Sequence, residues 1–130
     1  MKIRNRYKLF KLLVDFMFGC LVVNEKGRII FANRRIADML KYRVNEISGK
    51  NMIDFIDPKY KDMVRRKIAT GYEKPYKVIV RRKDGSKFVA MIREREFKYN
   101  NKTLRFVVID DITEYMLTQE RVKKNLRSFL

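Results

Sequence analysis

The residues best placed to do chemistry are two pairs of acids: Glu94 and Glu96, alternate along one run, and Asp110 and Asp111, adjacent at the end of another. Paired acids can serve an enzyme as proton donor and acceptor. Alternate or adjacent acids at a strand end rarely make a preorganised site, so catalysis is the weaker reading. The 130 residues include no His, which removes a Ser-His-Asp triad, a Cys-His pair, a His-ligated haem or zinc and a phosphoaccepting histidine. The single Cys, Cys20, permits no disulfide and no Cys-rich metal site within the chain. That fits a reducing compartment. No catalytic residue and no metal ligand is assigned.

The run VVIDDITEYM, Val107 to Met116, offers something other than catalysis. Its alternation ends at Asp110, which faces opposite to Val107 and Ile109. Asp111 and Thr113 can both offer oxygen to the free N–H groups of a helix that begins there. Glu114 adds negative charge in the first turn, where it suits the helix dipole. A strand here hands over directly to a helix.

The elements that must position these residues follow from periodicity. Residues 6–18 predict a helix with two apolar stripes, Phe10, Leu13, Val14 and Met17 on one and Leu9, Leu12 and Phe16 on the other. Its own domain can hide one stripe, so the other needs a second chain or a neighbouring segment. Two short strands are expected next, residues 20–24 and 28–32, joined through Asn24-Glu25-Lys26-Gly27 with Gly where positive φ is needed. Asn33 can cap a short helix carrying Ile36, Ala37, Met39 and Leu40. Asn45 and Asn51 can cap two further turns, with Gly49 as the stop between them. Asp57-Pro58 opens a helix with Tyr60, Met63, Val64 and Ile68 on one face, and Gly71 ends it. Strands return at residues 76–82 and 87–97 around Asp84-Gly85, then at 103–110 after a turn at Asn100-Asn101. Glu114 onward is helical. No repeat or linker interrupts, so one domain is expected at 19–113, with flanking helices at 1–18 and 114–130.

The formal net charge is +17, with Lys2, Arg4, Arg6, Lys8 and Lys11 crowding the start and Arg121, Lys123, Lys124 and Arg127 the tail. Nucleic acid or an anionic membrane surface could answer such charge. No basic stripe sits on a recognisable nucleic-acid motif, so a solvated, lysine-rich surface of the kind seen in heat-adapted proteins is the simpler reading. Arg65-Arg66-Lys67 and Arg81-Arg82-Lys83 are read the same way, because base stacking needs interleaved aromatics and only Tyr72 and Tyr76 lie nearby. In LFKLLVDFMFGCLVV, Lys11 and Asp15 break the apolar run and no small-residue cleavage site follows. No membrane span is expected, and a cytoplasmic location is.

Two strands, a cluster of short helices, three strands and an exit helix is also the element order of the PAS domain, a sensory and dimerisation module. Residues from about Cys20 to Glu114 resemble that family. The resemblance rests on Asn24 and Gly27, Asn33 and Ala37, Tyr42, Glu46-Ile47, Gly49-Lys50 and Asp57-Pro58. It also rests on RRKDGSKF, Arg81 to Phe88, and on Asp111-Ile112-Thr113, which is similar to the family's Asp-Ile-Thr signature. The chain departs from the family's usual Asp at Asn24, its Gly at Lys41 and its basic residue at Tyr115. The resemblance implies an α+β, PAS-like fold: a five-stranded antiparallel sheet with short helices on one face, plus the two flanking helices.

In that family the sheet and the short helices leave a small interior cavity. Alternation nominates Leu21 and Val23, Val78 and Val80, Ala90 and Ile92, and Val107 and Ile109 as its strand lining. The helices would add Ile36, Leu40, Met52, Ile53, Phe55, Ile56, Val64 and Ile68. Such an aliphatic set fits a fully packed core, or a small apolar ligand. The flavin-binding branch of the family carries a reactive Cys after Gly-Arg-Asn. In GKNMIDFI the resemblance puts Met52 at that position, and Ile53 and Ile56 where an Arg and a Gln hold flavin. A flavin-thiol adduct is excluded there, His-ligated haem is excluded with it, and no cofactor is expected. Cys20 reads as a small hydrophobe on the strand face away from the cavity.

Glu94 continues the side of Phe88, Ala90 and Ile92. If it reaches the cavity it needs an Arg, a Lys or a polar ligand group as partner. The favoured expectation is that the strand has left the core by then and that Glu94 and Glu96 pair with basic side chains at the surface.

Along the tail, Tyr115, Gln119, Val122, Leu126 and Phe129 form a heptad-like seam. Together with Leu9, Phe10, Leu13, Phe16 and Met17 it is a candidate dimer interface. The alternative is a helix folded back on its own sheet. The function expected is a PAS sensor that dimerises and relays a ligand- or packing-induced change, through the Asp111, Ile112 and Thr113 junction, to an effector in cis such as the histidine kinase of a two-component system. The alternative is a stand-alone basic domain that binds nucleic acid or an acidic protein.

Overall fold

Turn chemistry sets the strands. A computed structural model describes residues 6, 8–10 and 21–129. Strands β1 (Leu21–Glu25) and β2 (Arg28–Ala32) meet at Lys26 and Gly27, both at positive φ (51° and 92°). Two such residues make the tight turn whose twist matches paired strands. Asn24 closes it by accepting from the Gly27 N–H at 3.0 Å. Asn100 and Asn101 repeat the device, at φ 48° and 62°, between β4 (Lys87–Tyr99) and β5 (Lys102–Asp111). Strand β3 (Tyr76–Arg81) pairs with β4, and the antiparallel sheet runs β2-β1-β5-β4-β3.

Between the two hairpin regions the chain crosses one face of the sheet in short helices. Asn33 accepts from the Ile36 N–H at 3.1 Å and starts α1 (Arg34–Leu40), which buries Ile36, Ala37 and Leu40. Helix α2 (Val44–Ile47) begins at Arg43, not at Asn45 as expected. The reason is Glu46, which reaches back to accept from the Arg43 N–H at 3.0 Å and so moves the start two residues earlier. Asn51 caps a 3-10 turn (Met52–Phe55), and Asp57 caps another (Pro58–Tyr60) that runs into α3 (Lys61–Thr70). The exit helix α4 spans Thr113–Phe129. The architecture is α+β, as expected, and the core lies between the helices and the sheet.

The inward side of β1 is corrected. Val22, not Leu21 and Val23, joins the core, because Val22 pairs with inward-facing Val107 and Val23 pairs with Phe106 on the opposite face. Val23 is buried there instead, and the side chain of Leu21 lies outside what is described. Three consecutive apolar residues fit either register, so alternation alone could not choose. Among residues 6–18 only Arg6, Lys8, Leu9 and Phe10 are described, and they are helical; Leu13, Phe16, Met17 and Cys20 lie outside.

Candidate functional site

Three features converge on the sheet: an apolar interior, a buried ion pair and the joint with the exit helix. In the interior, Ile36, Leu40, Met52, Ile53, Phe55, Ile56, Val64, Val78, Val80, Ala90, Ile92, Val107 and Ile109 are buried in one cluster, with Ile68 packed at its edge. They pack to leave a cavity of about 20 Å³, which Met52, Phe55 and Val64 help to line. That is room for roughly one water. Any larger ligand must move these side chains apart.

Glu94 overturns the surface expectation. Strand β4 does not leave the core before Glu94, whose side chain is 2% exposed. Its partner is Arg105 on β5, whose Nε donates to Glu94 Oε2 at 3.1 Å and whose Nη2 donates to the same oxygen and to the Tyr72 carbonyl. The Tyr76 hydroxyl donates to Glu94 Oε1 at 2.8 Å. Burial, then the Glu94 carboxylate, pushes the Tyr76 phenol above its ordinary range. Lys67 Nζ lies 3.5 Å from the Tyr72 ring centroid, so α3, β3, β4 and β5 meet in one polar knot. Glu96 is the exposed member of the acid pair, 3.7 Å from Arg105 Nη1. Neither pair of acids forms a catalytic dyad: Glu94 is committed to Arg105, and Asp111 to the joint.

At the joint, Asp111 Oδ1 accepts from the Thr113 N–H at 2.9 Å, as a cap should. Its Oδ2 accepts from Arg82 Nη2 at 3.2 Å. Arg82 also donates from Nε to the Met39 carbonyl at 3.1 Å and stacks 4.5 Å from the Phe88 ring. This corrects the view of Arg81-Arg82-Lys83 as solvated surface: Arg82 ties helix, hairpin and exit together, and Lys83 reaches Glu46 at 2.7 Å. Thr113 is also corrected. Its hydroxyl accepts from the Val89 N–H at 3.0 Å, beyond the end of the β4–β5 ladder, instead of capping α4. Ile112 donates its N–H to the Val89 carbonyl at 2.9 Å, which completes the attachment. Beyond the joint α4 buries none of its residues, so it does not fold back on its own sheet.

A PAS domain family model matches residues 17–114, most of the chain and every element of the sheet. The chain belongs to the PAS domain family. PAS domains are sensory, non-catalytic modules of signalling proteins, histidine kinases among them. The PAS domain of an HTR-like protein from Haloarcula marismortui superposes with a TM-score of 0.76 at 17% identity, covering 85% of this chain and 94% of that one. The PAS domain of a two-component sensor histidine kinase gives 0.72 at 13%, covering 85% and 99%. A light-oxygen-voltage domain studied with a flavin analogue gives 0.68 at 21%, covering 92% and 96%. At these identities the likeness establishes the PAS fold. No curated protein sequence matches significantly. Among the described residues no helix is long and apolar enough to cross a membrane.

Proposed function

We propose that this PAS domain works as a cytoplasmic homodimeric relay. A change in core packing, or a small apolar ligand that opens the interior, shifts β5. The joint at Asp111, Ile112 and Thr113 passes that shift to α4, which moves against the α4 of a second copy and biases an effector such as a histidine kinase. The observation that carries this reading is the joint itself: Asp111 and Thr113 fasten the first turn of α4 to Arg82 and Val89, while the rest of the helix stands free of its own sheet. Its seam residues Tyr115, Val122, Leu126 and Phe129 are all at least half exposed, as are Phe10 and nearly so Leu9 at the other end. Exposed apolar side chains at heptad-like spacing suit a partner helix.

Sedimentation velocity over a range of concentrations tests the dimer. Self-association is expected to strengthen with added salt, because each copy brings a basic tail and salt screens the repulsion. Val122→Glu and Leu126→Glu should shift the chain to monomer. A strict monomer at high concentration would contradict the seam.

A further inference from the structure

The face of the sheet turned away from the short helices contributes no residue to the core cluster. The inward residues of β4 alternate with Arg93, Arg95, Phe97 and Tyr99, which share this outer face. The ladder sets Phe106 of β5 opposite Arg95, and Lys102 opposite Tyr99. Phe106 is 42% exposed and Tyr99 61%, and the Phe97 and Phe106 rings stack with centroids 4.1 Å apart. Arg93 and Arg95 are exposed, and neither has an ion pair among the described residues. Two acids share the face: Glu25 lies 3.9 Å from Lys102, and Asp110 stands opposite Met91, toward the joint. Aromatics and cations therefore interleave across two strands, the arrangement missing around Arg65-Arg66-Lys67 and Arg81-Arg82-Lys83.

We propose that this end of the outer face binds single-stranded nucleic acid. Bases stack on Tyr99 and the Phe97–Phe106 pair, and phosphates meet Arg93, Arg95 and Lys102. A duplex fits less well. Its bases already stack on one another, and its major groove admits a helix or a two-stranded ribbon rather than the face of a five-stranded sheet. An anionic bilayer also fits less well. Arginine reaches further from a strand than phenylalanine, and two rings stacked on each other are not free to insert among acyl chains. The net charge of +17 supplies attraction to any polyanion; the exposed rings add what only an unpaired base can use. The platform lies at the end of β4 and β5 away from Asp111, and the proposal does not rest on the relay.

The test is fluorescence anisotropy of the purified chain with labelled oligo-U, oligo-dT and a mixed-sequence duplex, each about twelve nucleotides long. At least one single strand should bind more tightly than the duplex at the same salt, although the duplex carries the denser charge. The ratio of RNA to DNA affinity reports whether a 2′-hydroxyl is contacted. Tyr99→Ala and Phe106→Ala should each weaken single-strand binding about five- to a hundredfold without moving the salt dependence. Urea midpoints check that the variants fold, and exposed Tyr99→Ala decides if Phe106→Ala does not. Arg93→Gln with Arg95→Gln should instead flatten the slope of log K against log salt by about 1.4, about 0.7 for each phosphate contact. Lys123→Gln with Lys124→Gln removes the same charge from α4 and should leave the preference for single strands intact. Equal affinity for the duplex, no effect of either aromatic variant, or no binding at low salt would overturn the proposal. Sedimentation with phosphatidylserine vesicles but no oligonucleotide binding would assign the face to a membrane. Loss of self-association in Tyr99→Ala, with no oligonucleotide bound, would assign it to a second copy.

Discussion

Glu94 and Arg105 hold each other in place, and the cost of separating them is predictable. Removing one partner of a buried pair leaves an uncompensated charge, typically worth about 3–5 kcal/mol. Glu94→Ala should therefore lower the free energy of unfolding by roughly that amount in urea denaturation, while Glu96→Ala, at an exposed acid, should cost at most about 1 kcal/mol. Equal effects would contradict the assignment. Alternation correctly put Glu94 on the core side of its strand, but its partner was invisible: Arg105 lies on β5, two positions before Val107, and only the ladder brings Glu94 and Arg105 within reach. The same limit applied to Val22 and Val23, where pairing with Val107 rather than hydropathy settled the face. Residues that cap their own turns were legible, because Asn33, Asn51 and Asp57 act within three residues of themselves.

At the scale of elements, three lysine–carboxylate pairs fasten the β3–β4 hairpin region to the helical layer: Lys41 to Asp84, Lys83 to Glu46 and Lys87 to Asp57, at 2.7, 2.7 and 2.6 Å. The Lys41 bond holds the Asp84 carboxyl well below its ordinary range, with Ser86 contributing. Lys83 lowers Glu46, and Lys87 lowers Asp57, each helped by a backbone N–H. A carboxylate lowered in the folded state contributes stability above its unfolded pKa and loses it as pH falls through the folded value. The urea midpoint should thus hold steady from about pH 7 to 5 and drop below about pH 4, the range of unfolded carboxylates. Asp84→Asn should remove part of that drop; an unchanged acid limb would contradict the role given to these bonds. Hairpins and short helices were legible from Gly, Asn and Pro positions, since turn geometry is local. The ties between layers were not: Arg82 looked like one more surface cation until Met39, Asp111 and Phe88 surrounded it.

For the whole molecule, composition narrowed the chemistry and topology supplied the reading. A chain without His lacks the commonest catalytic base, and its fold and family are those of a PAS domain. What such a module transmits depends on whether the sheet and the exit helix move as one piece. The most direct measurement is the distance between spin labels at position 123 of α4 in the two copies, in a Cys20→Ala background, with and without Asp111→Ala and Thr113→Ala. The relay predicts a narrow distance distribution in the parent that shifts or broadens when the joint is cut, with the sheet's unfolding midpoint little changed. No dipolar coupling between copies, or a distribution indifferent to both substitutions, would contradict it.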